Sequence, residues 1–278
     1  MSAITKHKDN FLKYRYLLKE LVIKNIKLQY RNSVLGMFWT FLQPLLTMVV
    51  LAVVFSNLFG KNSSQVVNYP VYLLSGRLLY EFFTQSTKRA MRSIRANSSI
   101  IKKVYVPKYI YPFSVVLSTF VTFLISLSVL VVVIAFFNIA KINPVTISWQ
   151  IIFAVLPIIV LFFFCIGVGM ILATLNVFFK DIENLYEVFC LLLFYLTPIV
   201  YTLDRLGFAK DSWQLSLLKI NPMYGIIDAF RAAVLHSAQF AEFFDAQSFL
   251  YSIIFAAVMF IIGIVAFYKN QDKFILHI

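Results

Sequence analysis

Five stretches of this 278-residue chain contain no aspartate, glutamate, lysine or arginine: residues 32–60, 109–140, 142–179, 188–203 and 246–268. Four of them exceed the roughly 20 residues that a helix needs to cross a bilayer core of about 30 Å, and the fifth reaches usable length with its flank from Leu185. A sixth, residues 69–87, is weaker because it carries Arg77 and Glu81. The runs are continuously apolar rather than alternating. A membrane barrel is therefore excluded, and lipid leaves the helical bundle as the one way of satisfying every backbone polar group.

Composition points the same way. At 61% hydrophobic and 13% charged residues, with a mean hydropathy of +0.83, a soluble fold of this length could not hide its apolar surface. The chain is thus expected to be an all-α membrane protein of six transmembrane helices forming one domain, residues 1–278. The N-terminus is basic and has no short apolar region ending in a small-residue cleavage site, so it does not read as a cleaved signal peptide.

Charge placement predicts orientation. With the N-terminus in the cytoplasm, eighteen of the 25 Lys and Arg residues fall on the cytoplasmic side and six outside, among them Lys219 and Arg231, while Arg77 lies within the membrane. Both termini are then cytoplasmic. The formal net charge of +13 is accordingly a topology signal rather than a nucleic-acid footprint, because it sits on membrane flanks. Cys165 and Cys190 lie inside expected spans, where they read as small packing residues and offer no disulfide or metal framework.

Three segments outside the spans stand out. Across residues 11–31, Phe11, Tyr14, Leu18, Leu21 or Val22, and Ile26 recur at helical spacing among five basic residues. This predicts a basic amphipathic helix, within cytoplasmic residues 1–34, lying on the inner membrane face or packed on a cytoplasmic partner. The cytoplasmic loop 88–111 contains NSSIIKKV, in which Asn97 or Ser98 caps a short helix carrying Ile100, Ile101 and Val104, with Lys102 beside them. Apolar side chains bracketed by basic ones suit a docking surface; a solvated loop that only fixes topology is the alternative. Residues 204–247 form the longest external segment. Within it LSLLKINPMYGIIDAFRAAVL reads as two short helices broken at Asn221 and Pro222, a re-entrant hairpin or a simple external cap.

Arg77 and Glu81 are four residues apart, so they share a helix face and can pair. With Tyr80, Thr84 and Lys88 they form a polar stripe that must face the bundle interior, a water path or a second subunit; a neutralised pair that only fixes packing is the alternative. Phe38, Trp39, Tyr72, Tyr80, Tyr195 and Tyr201 lie in or at the ends of spans, and aromatic faces can stack on the C–H face of a sugar ring as well as anchor the chain at the interface. Gly169 and Ala173 form a small-xxx-small pair that permits close helix approach. The sequence has no P-loop, HExxH or GxSxG elbow, so no nucleotide, zinc-protease or hydrolase site is expected, and any energy comes from a partner.

The segments YRNSVLGMFWTFLQPLL (Tyr30 to Leu46), KKVYVPKYIYP, LNVFFKDI, YLTPIVY and NPM, in that order, closely resemble ABC-2-type permeases of the branch exporting wall teichoic acid, O-antigen and capsular polysaccharide. The resemblance runs from about Phe11 to the C-terminus. It implies a homodimer in a bacterial cytoplasmic membrane, with two cytoplasmic ABC ATPase subunits that bind ATP and Mg, no cofactor in this chain, and a lipid-linked glycan as substrate. It also implies an ATPase-coupling helix at Asn97, Ser98, Ile100, Ile101, Lys102 and Val104, and outer gate helices holding Trp213, Asn221, Pro222 and Tyr224. Similar permeases usually carry apolar or neutral residues where Arg77 and Glu81 stand, so the resemblance assigns that pair no role. An exporter of small lipids or drugs and a membrane enzyme acting on lipid-linked sugar are the other two function classes.

Overall fold

A computed structural model describes residues 3–55, 68–104, 106–202, 213–236 and 239–277, with side chains from Tyr14 onward and without those of 214–217. Phe11 and Lys13 of the expected amphipathic pattern therefore fall outside the described side chains. No strand occurs among the described residues, which form twelve helices. These are α1 (Ala3–Gln29), α2 (Trp39–Phe55), α3 (Tyr69–Ala96), α4 (Ser98–Ile101), α5 (Ile110–Ile139), α6 (Val155–Phe178), α7 (Ile182–Leu196), α8 (Trp213–Ile220), α9 (Pro222–Leu235), α10 (Phe240–Phe243), α11 (Ala246–Asn270) and α12 (Phe274–His277).

Among the described residues, four helical runs are long and apolar enough to cross a membrane: Gly36–Phe55, Ile110–Ile139, Trp149–Phe178 and Ala246–His277. The other two expected spans correspond to α3 and α7. At 15 residues and 1.5 Å per residue, α7 is about 22 Å long and does not cross a bilayer core by itself.

The most polar of these long helices is the best buried. Along α3, Val71, Leu79, Ala90, Met91 and Ile94 are fully enclosed, as are Ser75, Ser86 and Thr87, and the helix packs against α5 and α6. Its hydroxyls return to carbonyls of the same helix: Ser75 to Tyr72 at 2.9 Å, Ser86 to Phe83 at 3.1 Å, Thr87 to Phe83 at 2.7 Å. Lipid is as apolar as leucine, so burial in such a bundle selects for close packing and satisfied polar groups rather than greasiness. Helix α2 instead turns an apolar face outward, with Val49, Val50, Val53 and Val54 exposed.

Helix α1 lies along α5, with Leu21 buried and Tyr14, Leu17 and Leu18 partly so, while Lys19, Lys24 and Lys27 are exposed. The amphipathic reading holds for the described side chains. The corner into α2 depends on two residues with positive φ, Asn32 at 63° and Gly36 at 51°, a region open to glycine and tolerated by asparagine. The Ser33 hydroxyl accepts the Gly36 N–H at 3.1 Å, and Tyr30 shares a 2.5 Å hydrogen bond with Thr40 of α2.

Two glycines set the α6–α11 crossing. A Cβ on Gly167 would lie 2.6 Å from the Met259 backbone, and one on Gly263 would lie 2.3 Å from the Gly167 carbonyl oxygen. Gly169, expected to permit a close approach, meets Ala90 of α3, so its small size serves packing within the chain. Cys165 and Cys190 are buried free thiols.

Candidate functional site

The C-terminal end of α3 leads directly into α4. Asn97 caps this junction, but its side-chain amide donates back to the Ser93 carbonyl at 2.8 Å and makes no capping bond to α4. The expected apolar trio divides: Ile100 and Val104 are exposed at 38% and 53%, whereas Ile101 is 6% exposed and belongs to the core. The correction has a simple cause. Adjacent positions on a helix are about 100° apart, so in a helix of one turn Ile100 and Ile101 cannot share a face, and Ile101 is the one that anchors the loop in the core. Ser98 is half-buried, and Lys102 and Lys103 are exposed beside Val104.

Behind α4, the end of α3 is tied to the turn between α6 and α7. Buried Asn176 donates to the Met91 carbonyl at 3.1 Å and to Glu183 at 3.1 Å. Arg92 meets Glu183 at 2.8 Å and Glu187 at 3.5 Å, Arg95 donates to the Val177 carbonyl at 3.2 Å, and the Tyr186 hydroxyl donates to Thr87 at 2.7 Å. The Arg92 pairs are exposed and contribute little energy singly. Asn176 is the firmer link because its bonds are shielded from water. These bonds join the end of α3, next to α4, to the start of α7.

At mid-span, Glu81 lies 3.9 Å from Arg77 and also accepts from Gln43 of α2 at 3.3 Å and Gln85 at 2.8 Å. The Arg77 guanidinium is 5.7 Å from the Phe194 ring centre. Side-chain exposures of 32% and 19% leave the pair facing an open flank of the bundle. Phe38, Trp39 and Tyr195 are exposed, Trp39 lining one cleft with Gln43, Glu81 and Gln85, and Tyr201 is half-buried with its hydroxyl on the Tyr195 carbonyl at 2.8 Å. Tyr72 and Tyr80, expected on a channel wall, are buried. The Tyr80 hydroxyl donates to the Cys190 carbonyl, and the Tyr72 hydroxyl to the Pro198 and Tyr201 carbonyls at 3.1 and 3.0 Å. Both hydroxyls tie α3 to α7 and the segment after it, and the Tyr72 ring also borders a cavity shared with Tyr224 and Arg231.

The outer segment folds into α8, α9 and α10. Asn221 caps α9 by accepting the Met223 N–H at 3.0 Å while donating to Thr197 at 2.8 Å, and Pro222 occupies the first turn, where its missing N–H is harmless. Helix α9 is almost entirely buried, Tyr224 included, and packs on α11 and α3. Gly225 permits this, since a Cβ there would lie 2.3 Å from the Ser248 carbonyl. Trp213 at the start of α8 is 72% exposed.

Arg231, which the charge count places on the external side, is 5% exposed. Its guanidinium donates to the carbonyls of Pro198 at 2.6 Å, Tyr72 at 3.1 Å and Ile199 at 3.2 Å. Gly76 makes room for it: a Cβ there would sit 2.3 Å from Nη2. Sequence reasoning missed Arg231, Gln43, Gln85 and Asn176. A basic residue inside the apolar run IIDAFRAAVL was the available signal for the first. The glutamines and asparagine carried none.

Comparison with known proteins bears on all three regions. The family model for the ABC-2 type transporter matches residues 16–235. An O-antigen export system permease protein RfbA of Klebsiella pneumoniae is 30% identical over 264 residues, covering 93% of this chain and 95% of that protein. Its namesake in Myxococcus xanthus is 28% identical over 219 residues, 79% of this chain and 80% of that one. The polysialic acid transport protein KpsM of Escherichia coli is 20% identical over 274 residues, 96% and 97% of the two chains.

Proposed function

The chain belongs to the ABC-2 type transporter family, and from that premise we propose that it is the permease subunit of an exporter that moves lipid-linked cell-surface polysaccharide across the bacterial cytoplasmic membrane. The observation that carries this reading is near-complete coverage, from end to end, of relatives named for O-antigen and polysialic acid export. Wall teichoic acid is a third polymer of the same kind.

In this reading α3 and α7 join the four long apolar helices to make six spans, both termini are cytoplasmic, and α8 and α9 form a re-entrant outer gate. The shortness of α7 is met by the segment 197–202, whose carbonyls are satisfied by Tyr69, Tyr72 and Arg231 rather than left to lipid. Two copies of the chain associate through the apolar faces of α2 and α7, where Val49, Val53, Val188 and Leu192 are exposed. The chain holds no cofactor; ATP and Mg are bound by two separate ATPase subunits. These subunits grip Ile100, Val104 and the adjacent Lys102, and Asn176 and Arg92 relay their closure to α7. Phe38, Trp39, Tyr195, Tyr201 and the Arg77–Glu81 pair line the path, where weakly directional ring stacking and planar polar groups let a glycan slide.

Co-purification tests the reading. The tagged permease is expected to retain a small ATPase whose ATP hydrolysis rises on addition of the lipid-linked glycan. A permease that brings down no ATPase, or an ATPase indifferent to every lipid-linked glycan of the host, overturns it.

A further inference from the structure

We infer that the outer end of the fold holds a binding subsite for a sugar unit that carries no carboxylate, built on the Tyr224 hydroxyl and the Asp228 carboxylate. The inference rests on the polysaccharide-permease reading above. A cavity of about 330 Å³ opens between α9, α10 and the segment after α7, near the lower end of the range of small-ligand pockets, roughly 300 to 1,000 Å³. Tyr224 and Asp228 are one helical turn apart, share a face of α9 and both line this cavity. Tyr224 is 5% exposed, yet among the described residues neither its hydroxyl nor the Asp228 carboxylate has a hydrogen bond or an ion pair. Buried polar groups are normally satisfied, and two unpartnered ones aimed into one cavity point to a ligand.

The chemistry of the wall selects that ligand. Arg231 also borders the cavity, but both its terminal nitrogens are engaged by the Pro198, Tyr72 and Ile199 carbonyls, and its Nε is sealed from solvent. Its charge is shared with the neighbouring Asp228 and Tyr224, and on the cavity wall it is outnumbered by the carboxyl groups of Asp228, Glu242 and Asp245. Glu242 and Asp245 stand at the rim, and Asp245 is already paired with Lys219 at 2.9 Å. The free capacity is acceptance by the Asp228 carboxyl and donation or acceptance by the Tyr224 hydroxyl in an acidic setting, which suits sugar hydroxyls or an amino sugar and disfavours uronic or sialic acids. The His236 and Phe243 rings, stacked 3.8 Å apart at 11°, give the cavity a flat aromatic wall of the kind a sugar ring lies against. The cavity is formed by the gate helix itself, so an occupied subsite would hold the leading sugar against the element that must move.

The test uses the permease with its ATPase in lipid nanodiscs. Mannotriose, chitotriose and trigalacturonate are the probes, read by saturation-transfer NMR and titration. The parent complex is expected to bind the first or second and not the third. Tyr224→Phe, which removes only the hydroxyl, and Asp228→Asn are each expected to weaken binding roughly tenfold, the scale of one hydrogen bond to a charged or buried group. Both variants are first required to elute as the intact complex. Binding unchanged in both variants, equal binding of trigalacturonate, or no binding of any probe by the parent overturns the subsite. ATP-driven polymer export is measured in parallel. A parent that exports but binds no probe rejects the subsite alone, whereas a parent that exports no polymer rejects the permease reading.

Discussion

The guanidinium of Arg231 lies 3.5 Å from the centre of the Tyr72 ring, stacked on the residue whose carbonyl it also holds at 3.1 Å. This joins α9 to the N-terminal end of α3, and through the Pro198 and Ile199 carbonyls it joins both to the segment after α7. Removing the side chain leaves the buried Ile199 carbonyl without a partner, at about 1 to 3 kcal/mol, and takes one hydrogen bond each from the Pro198 and Tyr72 carbonyls, which keep the Tyr72 and Ser75 hydroxyls. Arg231→Met is expected to lower stability by about 3 kcal/mol or more. Arg231→Lys should recover only part, because an ammonium cannot reproduce the planar fork or the stacking. Thermal unfolding of the detergent-solubilised permease checks the order; a lysine variant as stable as the parent contradicts the assignment.

The glycine positions predict a ranking. Gly167→Ala puts a methyl group into the Met259 backbone, which cannot step aside. Overpacking of this kind costs about 1 to 3 kcal/mol. Gly169→Ala meets only the Ala90 methyl at 2.9 Å and should cost less. Melting temperatures of the two variants are expected to fall in that order.

The split of the coupling loop gives a sharper contrast. Ile100→Asp and Val104→Asp are expected to abolish ATPase co-purification while the permease still inserts and melts normally, since both side chains are exposed. Ile101→Asp buries a carboxylate and is expected to lower the melting temperature itself. Retained ATPase in both the Ile100 and Val104 variants would remove this surface from coupling.

For the intramembrane pair, Glu81→Ala leaves Arg77 without its counter-charge. It is expected to reduce stability more than the Arg77→Ala, Glu81→Ala double variant does. A double-mutant cycle with no coupling energy would show that Gln43 and Gln85, rather than Arg77, hold Glu81.

Outside the membrane, burial alone would raise the Asp245 carboxyl. Hydrogen bonds from Lys219 and Ser248 outweigh it and hold the group below the usual aspartate range. A carboxylate depressed in the folded state contributes stability above its unfolded value of about 3.9 and loses that contribution as pH falls through the folded value. Asp245→Asn is therefore expected to melt below the parent at pH 7, with the gap closing below about pH 4.

The long apolar helices were legible because lipid imposes a length and a composition that a sequence displays directly, and α1 was legible from its periodicity. Side-chain direction was less so. Ile100 and Ile101 are adjacent in a helix of one turn, where periodicity assigns no face. Tyr72 and Tyr80 look like any aromatic near a span end, and only the course of α7 turns their hydroxyls inward. Arg231 counts as an external charge until its three acceptors are seen, and two of those lie 32 and 33 residues away and the third 159. What escapes a reading of the sequence is the long-range pairing of polar groups, which depends on where distant backbone ends up.

The central claim is ATP-driven outward movement of a glycan through this chain. Its most direct test places the permease and its ATPase in liposomes loaded inside-out with lipid-linked polysaccharide and follows the polymer's protection from an impermeant glycosidase. The account predicts that protection appears on adding ATP and is lost in the Ile100→Asp variant. Protection without ATP, or none with it, would contradict the account.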